Sequence, residues 1–276
     1  MDKLKVCFLG TGSMGSSVLK GLLAAGHHPK LISATTNSEA SAAKLRELGI
    51  SALSLEQSPD ANQLLSADAD LVVVGVKPYL VEQVLSEIAA ELPNEAVVVS
   101  MAAGFQLSSM AKALPDHKNL VRSMPNTPAL VGKGVTGVAL GAEAAVEAAE
   151  LAKWLFERVG SVVDVSEDQI NALSAISGSG PAWIYFIVEK WQQVAIANGF
   201  TEEQAKVLVQ ETLIGSAELL AKSGEEPTKL RKDVTSPGGT TERIIAELDS
   251  ANLEALFERA LKAAVARAEE LANPKG

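Results

Sequence analysis

The chain has one cysteine, three histidines and fewer bases than acids, and each shortage removes a class of function. A lone thiol, Cys7, leaves no internal disulfide and no multi-cysteine metal site. It stands in the first apolar run, where a buried strand thiol is expected rather than a nucleophile, and a reducing, cytoplasmic setting matches it. Thirty-four acids against 24 bases give a net charge of −10 at pH 7. Nucleic acid or an anionic membrane surface would repel such a chain, whereas a small anion answers to the local field of a cleft. His27, His28 and His117 all precede strand candidates, and neither a Ser–His–Asp order nor a histidine–carboxylate metal cluster presents itself. Long apolar runs are scarce too. The run in MDKLKVCFLG stops at Gly10, too early for a signal-peptide core. Residues 169–188 carry no formal charge over a membrane-spanning length, but Gln, Asn, Ser, Gly and Pro interrupt them, as in a buried segment of a folded domain.

What is present is a change of texture near residue 165. Before it, short β-rich runs (KVCFLG, KLISA, LVVVGV, AVVVSM, NLVRSM, GVTGVAL and SVVDV) alternate with helical stretches such as Ser38–Leu48, Pro78–Leu92 and Ala142–Val159. That alternation predicts a mostly parallel sheet wrapped by helices. Ser58-Pro59-Asp60 reads as a helix start, with a hydroxyl cap and proline at the first helical position. After Val165 no strand candidate follows. Ser166–Gln169 and Thr201–Gln204 fit the capping box, and from Leu253 to Leu271 apolar residues recur at helical spacing. The expected division is a dinucleotide-binding domain over residues 1–165 and an all-α helical bundle over 166–276, with a frayed tail at Asn273–Gly276. So thin a helical layer, rich in Ala and Leu, is expected to complete its core with a second copy; a self-sufficient bundle is the alternative.

Gly10-Thr11-Gly12-Ser13-Met14-Gly15 fits G-x-G-x-x-G, follows a predicted strand and opens a predicted helix, Ser16–Ala25. Gly10 permits the turn, Gly12 lets backbone approach a pyrophosphate, Gly15 allows close helix–strand packing, and the helix N-terminus meets the phosphates. The second strand then leads to Thr35, Thr36 and Asn37 where an acid would favour NAD. Hydroxyl and amide donors there favour NADP, so NADPH is the expected cofactor, with NADH possible because no arginine clamps the phosphate. Three further strand ends face the same edge: Val76-Lys77-Pro78, the Ala102-Ala103-Gly104 turn, and Met124-Pro125-Asn126. With no acid–base pair in sight, the composition suits hydride transfer to a substrate already activated, such as a protonated imine.

A second glycine loop, Ser236-Pro237-Gly238-Gly239-Thr240-Thr241, interrupts the helical half. Its amides, opening the predicted helix Thr240–Asp249, would form an anion site. With VGVKP, SMAAG, RSMPNTP, ALSAISGSGPAW and DVTSPGGTTERIIAELD, the sequence from Lys5 to about Leu261 resembles the pyrroline-5-carboxylate reductases. The resemblance implies a Rossmann-like domain followed by a helical dimerisation domain, obligate pairing that can extend to higher homo-oligomers, and a cyclic imine carboxylate as substrate. It implies that Thr241 approaches the ring nitrogen, that Ser177 and Asn126 hydrogen-bond at the site, and that one subunit's substrate loop helps complete a site facing the other's nucleotide domain. The family commonly has Asp and Thr where this chain has Asn171 and Ser174, both of which keep hydrogen-bonding capacity. Two other readings stay open. A β-hydroxyacid dehydrogenase shares the two-domain plan but carries a lysine soon after its central glycines, whereas here none follows GSGPAWIYF until Lys190. A regulatory NADP-binding protein without turnover would not need the second glycine loop.

Overall fold

The structure is a computed structural model and describes residues 3–272. The expectation for Asn273–Gly276 lies outside the described residues. Eight strands form one sheet: β1 Val6–Leu9, β2 Ile32–Thr36, β3 Ser51–Ser54, β4 Leu71–Val74, β5 Val97–Ser100, β6 Leu120–Met124, β7 Gly134–Leu140 and β8 Gly160–Asp164. Their order is β3-β2-β1-β4-β5-β6-β7-β8. Every neighbour is parallel except β6 and β7, which run antiparallel. The crossovers are α1 Ser13–Ala24, α2 Glu39–Arg46, α3 Ala61–Ser66, α4 Pro78–Ile88, α5 Leu107–Ala113 and α6 Val146–Phe156.

Alternation along the strands explains the two-sided core. Val6 and Phe8 point to the face covered by Val18, Leu19 and Leu22 of α1 and by Leu155 and Phe156 of α6. Cys7 and Leu9 point to the other face, against Val81, Leu85 and Ile88 of α4 and Met110 of α5. A sheet buried on both faces makes its central strands near-continuous apolar runs, as LVVV and VVVS are. The strand missing from the sequence reading is β3. It is an edge strand in which serine alternates with Ala and Leu, too short and polar to register as apolar.

Two helix starts differ from expectation. Ser58 does not cap a helix: its hydroxyl donates to Asp60 Oδ1 (2.9 Å), and α3 begins three residues later at Ala61. Proline at 59 serves the turn before the helix instead. α1 begins at Ser13 rather than Ser16, with Gly12 as its N-cap, so Ser13, Met14 and Gly15 form its first turn. Gly15 is tolerated there because a Cβ would sit 3.1 Å from the Gly10 carbonyl oxygen.

Beyond β8 the described residues are helical: α7 Ile170–Leu173, a π-helical turn Ser174–Gly178, α8 Gly180–Ala197, α9 Glu202–Ser223, α10 Pro227–Asp233, α11 Thr240–Ser250 and α12 Leu253–Ala272. Thr201 and Gln204 make a reciprocal capping box, backbone to side chain in both directions (3.0 and 3.2 Å). Gln169 Oε1 accepts from both the N–H and the hydroxyl of Ser166 (3.0 Å each). The helix running into Ser177-Gly-Ser-Gly-Pro181 is not regular: it changes to i→i+5 bonding, as Ser179 N–H to Ser174 O shows (2.8 Å), before α8 starts. The chain divides into two compact units, one reaching Ser179 and taking up the segment from Ala264, the other Gly180–Ala263. In the second, Trp183 of α8 stacks on Phe257 of α12 with ring centroids 5.5 Å apart. Among the described residues no helix is long and apolar enough to cross a membrane.

Candidate cofactor cleft and substrate loop

At the carboxyl ends of β1, β2, β4 and β5 lies a cleft of about 750 Å³. Its floor is the first glycine loop. Gly10 has φ +81°, and a Cβ there would fall 2.4 Å from Val76 Cγ1 and 3.1 Å from the Val76 nitrogen, so only glycine lets β1 turn against β4. Gly12 has open space in front of it. α1 has no capping side chain and no acidic residue in its first turn. The N–H groups of Ser13 and Met14 bond no acceptor among the described residues, which leaves a helix end suited to an anion. Among the lining residues Lys77 alone is charged, so the cleft is locally basic within an acidic chain.

Most of the residues expected here line the cleft: Gly10, Thr11, Gly12, Ser13, Met14, Thr35, Thr36, Asn37, Val76, Lys77, Pro78, Ala102 and Ala103. Their roles differ in detail. Thr35 is buried and pins the glycine loop: its Oγ1 accepts from Gly10 N–H (3.1 Å), and its carbonyl accepts from the amide (3.1 Å) and hydroxyl (3.2 Å) of Thr11. Thr36 donates its hydroxyl to Ser38 O (2.9 Å). The Thr36 hydroxyl, expected among the donors toward a 2′-phosphate, is directed in this arrangement to the chain itself. Donors that line this end are the exposed Asn37 amide and the Ser41 hydroxyl, whose oxygen accepts the Ser38 hydroxyl (3.0 Å). Ser41 went unnoticed, although it stands three residues after Ser38 and so on the same face of one helical turn. Gly75 and Met101 also line the cleft. A Cβ at Gly75 would come within 2.6 Å of Gly10 O, a close approach that sequence spacing alone does not reveal.

Four expected residues lie outside the lining. Gly15 is buried under the loop, and Gly104 (φ +77°) makes the turn after β5. Pro125 and Asn126 are buried beyond β6. Asn126 binds the chain through both ends of its amide: Nδ2 donates to Ser177 O (3.0 Å) and Oδ1 accepts from Val135 N–H (2.8 Å). Ser177 donates its hydroxyl to Leu173 O (3.1 Å). The structure thus ties the loop after β6 to the π-helical turn. A Cβ at Gly178 would stand 3.2 Å from Met124 Cε, so this glycine lets the turn press on the same strand end.

The second loop, around Gly238 (φ +73°), precedes α11, whose N-cap Gly239 has no side-chain cap. Its amides are not all bare. Gly238 N–H donates to Glu242 Oε2 (2.9 Å) and Gly239 N–H to Ser236 O (3.0 Å). Among the described residues the N–H groups of Thr240 and Thr241 have no acceptor, and Thr241 is half-buried.

The histidines serve structure. His27 Nε2 lies 2.9 Å from Leu4 O, and His117 Nε2 2.6 Å from Ala96 O, both before strands and away from the cleft. Cys7 is fully buried and its thiol is pushed up to about 12 by desolvation. Among the described residues no group of three His, Cys, Asp or Glu could hold a metal.

A doubly wound sheet with this strand order and a glycine turn at its first strand–helix junction defines a dinucleotide-binding protein of the Rossmann class. The comparisons with known proteins agree. Residues 5–104 match the family model described as NADP oxidoreductase, coenzyme F420-dependent, and residues 167–271 match that for pyrroline-5-carboxylate reductase dimerisation. The chain is 37% identical to the pyrroline-5-carboxylate reductase of Corynebacterium melassecola over 96% of its length and 98% of the relative's. It is 36% identical to that of Pseudomonas aeruginosa over the full length of both. The solved enzyme from Coxiella burnetii superposes with a TM-score of 0.91 at 37% identity, covering 98% of each chain. The Plasmodium falciparum pyrroline carboxylate reductase, solved with NADP bound, gives 0.83 at 25% identity over 99% of this chain and all of that one. The chain belongs to the pyrroline-5-carboxylate reductase family.

Proposed function

We propose that the chain reduces 1-pyrroline-5-carboxylate to L-proline with hydride from NADPH, NADH being a secondary donor. The observation that carries this reading is the cleft itself: bare amides on α1, one lysine and no lining carboxylate, in a chain that matches pyrroline-5-carboxylate reductases from end to end. The bound nicotinamide supplies the hydride. Gly10, Thr11, Gly12, Ser13 and Met14 hold the pyrophosphate, with Gly15 packing the helix against them. Thr35 and Thr36 shape the ribose end, where Asn37 and Ser41 present donors and Ser38 positions the Ser41 hydroxyl. Val76, Lys77, Pro78, Ala102 and Ala103 wall the cleft, while Gly104, Pro125 and Asn126 fix the adjoining loops.

Residues 166–276 act on the substrate and in pairing, and residues 1–165 on the nucleotide. In the Ser236–Thr241 loop, the open amides of Thr240 and Thr241 hold the substrate carboxylate at the positive end of α11, and Gly238 and Gly239 give the loop its shape. The Thr241 hydroxyl orients the protonated ring nitrogen, and Ser177 supports the substrate side from the π-helical turn. The iminium carbon takes the hydride while nitrogen keeps its proton, so no further general acid is needed.

A homodimer follows from α8: none of its eighteen residues is buried, although Ile184, Tyr185, Phe186, Trp191 and Val194 lie along it. A reducing, cytoplasmic location is consistent with the buried free thiol. The direct test is NADPH oxidation with 1-pyrroline-5-carboxylate beside a 3-hydroxy acid with NADP. Turnover of the imine alone is expected; silence with the imine despite NADPH binding would sink the substrate assignment. Thr241→Ala is expected to keep NADPH affinity and lower turnover about tenfold, the worth of one hydrogen bond of ~1.4 kcal/mol to the reacting group. Unchanged steady-state kinetics would remove Thr241 from the mechanism.

A further inference from the structure

The loop after β2 carries a charge arrangement that its sequence conceals. Glu39, the first residue of α2, is turned away from the cleft: its carboxylate pairs with Arg46 and accepts from the Ser54 hydroxyl (2.9 Å). Arg46 also donates to Ala52 O (2.9 Å), so the one arginine in α2 is fully engaged. Glu56 is different. It arrives from the segment after β3, makes no salt bridge among the described residues, and its Oε2 accepts the Glu39 N–H at 2.9 Å. Its own N–H donates to Asn37 O (3.2 Å), which holds Glu56 against the Asn37–Glu39 backbone. Asn37, Ser38 and Ser41 line the cofactor cleft, and the end of β2 is where this fold meets the adenosine ribose.

We infer that Glu56 is a cofactor-specificity residue: its carboxylate, seated on the first amide of α2, opposes a 2′-phosphate and narrows the preference for NADPH over NADH. This rests on the proposed dinucleotide reading of the cleft. A ribose hydroxyl at the same place tolerates the carboxylate, whereas a phosphate is repelled and competes with it for the helix amide. Glu56→Gln keeps an oxygen for the Glu39 N–H and removes only the charge, so it isolates the electrostatic effect from loop shape.

The test is binding of NADPH and of NADH to the full chain, without imine, by nucleotide fluorescence at low and high salt. Glu56→Gln is expected to tighten NADPH roughly tenfold at low salt and less at high salt, while NADH affinity stays within about twofold. Glu56→Lys is expected to move the ratio further the same way. Equal changes for both nucleotides, or none, would overturn the inference. Failure of the unaltered chain to bind either nucleotide would overturn the cofactor reading with it. The expected ratio change without any imine reduction would support the inference and overturn the substrate assignment alone.

Discussion

Arg122 offers the sharpest energetic test. It lies on β6 with its side chain 3% exposed, and its Nη1 donates to Glu167 Oε1 at 3.3 Å. The same carboxylate oxygen accepts Leu107 N–H at 2.5 Å, at the start of α5. Burial pulls the guanidinium below its ordinary pKa and Glu167 opposes that, while Nε has no partner. The pair is thus asymmetric: the cation is buried, but the Glu167 side chain is 32% exposed. Removing one member of a buried pair costs about 3–5 kcal/mol, and water access to Glu167 places Glu167→Ala nearer about 2–3 kcal/mol. Arg122→Met removes the buried charge and keeps an apolar stem, leaving Glu167 hydrated and still bonded to Leu107, so it is expected within ~1 kcal/mol of the unaltered chain. The double variant is expected to resemble Arg122→Met, with about 2 kcal/mol of non-additivity. Urea unfolding followed by circular dichroism, at one protein concentration so that assembly is held constant, measures all four chains. An Arg122→Met loss as large as that of Glu167→Ala would refute the reasoning, because the pair would then be stabilising in its own right.

Further outcomes follow from the glycine loop and the thiol. Gly10→Ala combines positive φ with a 2.4 Å clash on Val76 and is expected to lose most NADPH affinity and about 2–4 kcal/mol of stability; calorimetry with and without nucleotide checks both. Cys7, with its folded pKa raised to about 12, is expected to resist thiol reagents in the native state and to react once urea unfolds the chain. The sign of its pH dependence is set by the same shift. The unfolded thiol ionises near its ordinary value of 9 while the folded one stays protonated, so stability is intact below that pH. It falls as pH rises from there towards 12, and Cys7→Ala is expected to flatten that part of the curve, read from unfolding midpoints.

Much of this was legible in residue order because its causes are local. Strands buried on both faces need unbroken apolar runs, so LVVV and VVVS announce themselves, whereas the edge strand SALS needs burial on alternate residues only and went unread. The Thr201–Gln204 capping box links atoms three residues apart and formed as written. The glycine loop, likewise, carries its turn and its bare amides within six residues.

The tertiary structure decided the partners of residues far apart in the chain. Asn126, expected at the cofactor, divides its amide between Ser177 and Val135. Thr36, expected among the phosphate donors, directs its hydroxyl to Ser38. Gly238 looked bare until Glu242 reached back to it. Arg122 and Glu167, 45 residues apart, gave no sign of each other, and Glu56 gave none of its place beside α2. Sequence by itself determined the class of this protein, since backbone turns, helix ends and apolar periodicity are written in neighbouring residues. Which polar groups remain free to meet a ligand depends on where the folded chain brings their competitors, and that only the tertiary structure decides.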